Sequence, residues 1–149
     1  MRSVAELEAY IEAPKPDIAP VKLADDYLLV GEEMLIHWLK AKDLVPTEKE
    51  KEGFRILAMH RQGCKGDPSF NACRETCREL AYYYNLITME PDSEDIASRL
   101  AMMDMVAKHL VLFIGGKMQE EQVGEFCCSS KVNKLNREEV ESLVGVNNG

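Results

Sequence analysis

Phe70, Cys73, Cys77, Leu80, Tyr84 and Ile87 recur at alternating spacings of three and four residues. No β-strand shows that rhythm, and it commits the stretch Pro68 to Thr88 to a helix with one buried face. Asp67 offers an N-cap, and Pro68 suits the first helical position, where its missing N–H costs nothing. Both cysteines of the C-x-x-x-C pair lie on this seam. The most chemical feature of the chain is therefore also a core feature.

Helical patterns surround this stretch. Ser3-Val-Ala-Glu6 reads as a capping box opening a short helix, Val4 to about Glu12, with Leu7, Tyr10 and Ile11 on its apolar face. Nine residues are marginal alone, so this helix must dock on something. Pro14, Pro16 and Pro20 impose an extended segment after it. Leu23 to about Lys42 reads as a helix with Tyr27, Val30, Met34, Trp38 and Ala41 along one side; a start at Gly31 is the alternative, and Val45-Pro46 ends it. Thr47-Glu-Lys-Glu50 resembles a second capping box, predicting a helix from there to Cys64 with Phe54, Leu57 and Ala58 inward and Ile56 and Met59 at the flanks. The short turn CKGDP then predicts that this helix and the next form an antiparallel hairpin.

Asp92 or Ser93 can cap a long helix ending at Gly115-Gly116, with Ile96, Leu100, Met103, Ala107, Leu110 and Ile114 as its main seam. Met102, Met105, Val106, Leu112 and Phe113 carry apolar surface round to the other side. A helix apolar on several faces is central or shared with a partner. Lys117 to Arg137 has no sustained period, and Arg137 to Leu143 predicts a last short helix before a frayed end.

The expected fold is all-α: an antiparallel bundle of four main helices with short extra helices at both termini. Residues 1–20 form an arm and linker, 21–116 the helical core, and 117–149 a loop and short helix packed on that core. A chain of 149 residues, 46% apolar and 30% charged, fits one domain with one core. No window approaches the roughly 18 uninterrupted apolar residues of a membrane span. Glu6 and Glu8 stand where a signal peptide would have its apolar stretch, which argues against export. Five cysteines is an odd count for disulfide staples, so reduced thiols and a cytoplasmic setting are expected. The net charge of −8 disfavours nucleic acid and anionic membranes as partners.

Metal binding is the first chemistry to weigh. His60-x3-Cys64 and Cys73-x3-Cys77 put zinc-type ligands on adjacent helices. In a hairpin turning near Gly66, Cys64 sits roughly 3 Å from the apex level and Cys77 roughly 16 Å, at about 1.5 Å per residue. Only His60 and Cys73 are level. A three-ligand site from His60, Cys64 and Cys73 would be completed by His109, Cys127 or Cys128. The bland reading makes Cys73 and Cys77 ordinary buried thiols. Redox work is disfavoured, because helical i,i+4 cysteines hold their Cβ atoms about 5–6 Å apart and the pair is placed inside a helix rather than at its N-terminus. His109, within the most apolar helix, is the one candidate for a general base in a pocket. No Ser-His-Asp order, phosphate loop or H-E-x-x-H motif is present.

These readings favour a non-enzymatic, cytoplasmic binding or regulatory protein acting as a homodimer, with a further protein partner as an option. The alternative is a small metal or cofactor protein holding zinc or another thiolate-binding metal. The third is an enzyme using His109.

Overall fold

Ser3 opens the first helix as its spacing predicts. A computed structural model describes residues 1–15 and 17–121, which are mostly helical and contain no strand. In α1, Val4–Glu12, the Ser3 hydroxyl accepts from the Glu6 N–H and the Glu6 carboxylate accepts from the Ser3 N–H, each at 3.1 Å. Val4, Leu7 and Ile11 are buried against α2, Pro20–Ala41, and α5, Ile96–Glu120. The arm is locked at its root. Arg2 donates its backbone N–H and its guanidinium to the Glu33 carboxylate at 2.8–3.2 Å, and the Arg2 carbonyl meets His37 Nε2 at 2.7 Å.

α2 runs through Gly31 and starts at Pro20, so the later start is excluded. Gly31 is there for room: a Cβ at this position would lie 2.6 Å from Leu80 Cδ2 and 2.8 Å from Ile56 Cδ1. The helix ends before Val45-Pro46. Asp43 adopts φ 60°, Leu44 N–H donates to the Leu39 carbonyl and Asp43 N–H to the Lys40 carbonyl, which is a Schellman stop.

The helix expected from Thr47 begins only at Arg55; α3 is Arg55–Gly66. Glu52 and Gly53 both have positive φ, and Lys51 and Phe54 exchange backbone hydrogen bonds around them at 3.0 Å. Two successive positive-φ residues make a tight turn that an α-helix cannot contain. Thr47 Oγ1 accepts from Lys49 N–H, two residues on, instead of capping a helix. The inward face differs accordingly: Ile56 and Met59 are fully buried, whereas Phe54 and Ala58 are only half-buried.

The central stretch is also not one α-helix. Pro68–Cys73 winds as a 3-10 segment, capped by Asp67, and α4 proper is Arg74–Met89. Side chains three apart eclipse in a 3-10 turn, so Phe70 and Cys73 share the buried face in either geometry. The seam survives: Phe70, Cys73, Cys77, Leu80 and Ile87 are buried, with Tyr84 half-exposed.

α5 starts at Ile96, three residues later than Ser93, because Ser93 Oγ is spent on a turn, accepting from Asp95 N–H at 3.1 Å. It passes straight through Gly115-Gly116, so the core boundary drawn at residue 116 falls inside a helix. Two glycines cost about 1 kcal/mol each in a helix interior. Burial of Met118 and an ion cluster at the last turn offset this. Lys117 reaches Glu121 at 2.9 Å and Asp67 at 3.5 Å, and Lys42 bridges the same two carboxylates. α2 is the common support, packing on α5, α4, α3 and α1. No helix among the described residues is long and apolar enough to cross a membrane. The helix expected at 137–143 lies outside the described residues.

Candidate functional site

Phe70 is the pivot about which the chemical side chains gather. Its ring stacks on His60 at 5.4 Å between centroids and on Trp38 at 4.8 Å, and it meets Phe113 of α5 at 6.3 Å. Its carbonyl lies 3.1 Å from His60 Nε2 and accepts from the Cys73 thiol at 3.2 Å. A carbonyl only accepts, so Nε2 carries the imidazole proton. The 3-10 winding makes this possible by presenting Phe70 O to both α3 and its own third neighbour.

His60 and Cys73, the two candidate ligands expected to be level, are thus brought to one carbonyl. Cys73 occupies the N-cap position of α4, with Cys77 one turn in. The 3-10 segment runs straight into α4, with the Arg74 N–H donating to the Asn71 carbonyl, so the pair lies within one continuous helical stretch that only changes its winding at Cys73. The neighbouring Cys77 thiol, then His60, draw the Cys73 thiol below its ordinary value against the opposing effect of burial. Cys77 moves the other way, pushed up by its hydrogen bond with Cys73 and by burial. One proton of the pair is held loosely and the other tightly.

The remaining candidates do not join them. Cys64 is half-buried and its thiol donates to the Arg61 carbonyl at 3.4 Å, within its own helix. His109 is exposed on α5, not enclosed in a pocket. Cys127 and Cys128 lie outside the described residues. Among the described residues, no three His, Cys, Asp or Glu side chains are grouped as a metal ion requires.

Trp38 Nε1 is buried and has no hydrogen-bond partner among the described residues. A Cβ on Gly63 would stand 3.4 Å from that nitrogen and 3.0 Å from the Phe70 ring, so Gly63 is what lets α3 close over the stack.

A cavity of about 190 Å³ opens beside His60, walled by Lys51, Arg61, Asn71, Arg74 and Arg78 with Leu57 and Cys64. Motif reading passes over these cations because they come from three separate places: the turn before α3, α3 itself and the start of α4. The only local signal is the i,i+4 pair Arg74 and Arg78, which is commonplace on helices.

On the outer face of α5, Met102, Met105, His109, Leu112 and Gly116 are all exposed and follow one another at spacings of three and four. They form a single stripe, the seam geometry of a helix that meets another helix. The chain matches no protein-family model, no curated protein and no solved structure.

Proposed function

We propose that this chain is a non-enzymatic helical binding or regulatory protein of the cytoplasm that acts as a homodimer through the outer face of α5. The body behind that face is read as an antiparallel bundle of α2 to α5. The observation that carries the proposal is the exposed stripe Met102, Met105, His109, Leu112 and Gly116, with Met105 49% and Leu112 57% exposed. Apolar side chains aligned in this way on a helix flank are a contact surface more often than a solvated one.

A second copy is the occupant favoured by the order of the stripe. His109 stands midway between Met102 and Gly116. An antiparallel two-fold pairing about it sets each Met102 against the partner's Gly116 and each Met105 against the partner's Leu112. Large meets small, then large meets large, and each copy donates the same contact. Met side chains suit such a seam by filling irregular gaps.

Light scattering at high micromolar concentration is the test. The expected mass is twice the 16.8 kDa of one chain. Met105→Glu with Leu112→Glu should give the single-chain mass with the helical signal intact, since both side chains are exposed. His109→Leu, which removes a polar pair from the centre of the seam, should strengthen association. A wild-type mass of one chain would overturn the proposal. So would a dimer indifferent to the double substitution.

A second reading, a small metal or cofactor protein, is favoured by the approach of His60 and Cys73 to one carbonyl. Elemental analysis of untagged protein tests it: stoichiometric zinc, lost on Cys73→Ser, is its required outcome.

A further inference from the structure

We propose that the cavity between α3 and the start of α4 binds a small phosphoryl anion, free phosphate or a phosphomonoester. The first ground is charge. The chain carries 26 acidic against 18 basic residues, yet this wall of eight residues holds Lys51, Arg61, Arg74 and Arg78 and no carboxylate. Arg78 alone among them has an ion pair within the described residues, to Glu52 at 3.0 Å outside the wall. Like charges gathered round one concavity repel each other, and they also focus potential on an anion that enters it.

The second ground is position. Arg74 is the first residue of α4 and Arg78 lies one turn in. The 3-10 segment runs straight into α4 and its Asn71 carbonyl accepts the Arg74 N–H, so an anion here is held by side chains and not by free backbone N–H groups. Guanidinium groups fork onto phosphoryl oxygens in pairs, which a lone ammonium cannot do.

The third ground is the cavity's interior. His60, only 5% exposed, forms its inner wall, and Asn71 adds an amide. A volume of about 190 Å³ is several times the roughly 30 Å³ share of a water molecule, ample for a tetrahedral oxyanion and small for a nucleotide. The site is separate from the α5 stripe and does not depend on self-association.

Isothermal titration of the full chain with inorganic phosphate, and separately with glycerol phosphate, in buffer of constant ionic strength tests the proposal. One saturable site per chain is expected for at least one of the two. Arg61→Ala and Arg74→Ala should each weaken it by about tenfold or more, the size of one lost charge-assisted contact. Lys49→Ala, an exposed lysine outside the wall, should leave it unchanged. Tighter binding of glycerol phosphate identifies an organic phosphate as the ligand; the reverse order identifies the free ion. Phosphate should also raise the melting temperature of the wild type, a readout that needs no variant. No saturable binding of either compound at millimolar concentration overturns the proposal. Binding insensitive to both arginines, or abolished equally by a modest rise in chloride, does the same.

Discussion

Trp38 and Phe70 lie face to face, with ring centroids 4.8 Å apart and planes 2° from parallel. This stack joins the last turn of the chain's central helix, α2, to the 3-10 segment that leads into α4. Parallel rings at this centroid separation are offset from one another, a favoured arrangement of an aromatic pair. Two ammonium groups near the indole add to it: Lys42 Nζ lies 4.7 Å and Lys117 Nζ 5.4 Å from its centroid. The same lysines tie Asp67 and Glu121 together, so the ion cluster that closes α5 also covers the stack.

Because Phe70 holds Trp38, His60 and Phe113 at once, its removal should be among the costliest single changes. Phe70→Ala is expected to lower stability by about 3–5 kcal/mol, read from the midpoint of chemical denaturation. Phe70→Leu, which refills most of the space, should cost distinctly less. A Phe70→Ala midpoint close to the wild type would remove Phe70 from the centre of the core.

Gly31 and Leu80 define a second contact with an unusual signature. A methyl added at Gly31 meets the Leu80 and Ile56 side-chain ends well inside van der Waals distance. Gly31→Ala gains about 1 kcal/mol of helix propensity but overpacks at a cost of about 1–3 kcal/mol. Leu80→Ala alone should cost about 2–5 kcal/mol. In the double variant the new methyl enters the space that Leu80 vacates, so the combined loss should be smaller than the sum. Strict additivity in a double-mutant cycle would show that α2 and α4 do not meet here.

Stability should also report on Cys73. Its thiol is drawn below the ordinary 9.0 in the folded state, chiefly through Cys77 and then His60. A folded-state pKa lowered in this way contributes stability that is complete above the unfolded value and lost as pH falls through the folded one. Melting temperature in the wild type should therefore rise relative to Cys73→Ser as pH climbs toward 9.0. Ultraviolet absorbance of the thiolate should appear over the same range, and His60→Gln should move that step upward. Parallel pH profiles for wild type and Cys73→Ser would contradict the assignment.

Much of the fold was legible because spacing along a helix determines which residues share a face. The capping box at Ser3 and Glu6 needs only four consecutive residues to form, and it formed. The seam from Phe70 to Ile87 was readable even though its first turn is 3-10, since a spacing of three serves both kinds of helix. Of the surplus apolar residues read on α5, Met102, Met105 and Leu112 are exposed, whereas Val106 is buried and Phe113 packs against Phe70.

The misreadings fall where a local signal met a longer-range one. Thr47 to Glu50 has the letters of a capping box, but the Glu52-Gly53 turn and the hold of Gln62 and Arg55 on that loop delay the helix to Arg55. Gly115-Gly116 has the letters of a helix stop, yet the ion cluster and the burial of Met118 carry α5 through it. The meeting of His60 with Cys73 and the cation-walled cavity lay further still from the reach of sequence. Spacing assigns a side chain to a face of its own helix; which groups from α3, α4 and the preceding turn then share a space depends on how those helices cross, and only packing decides that.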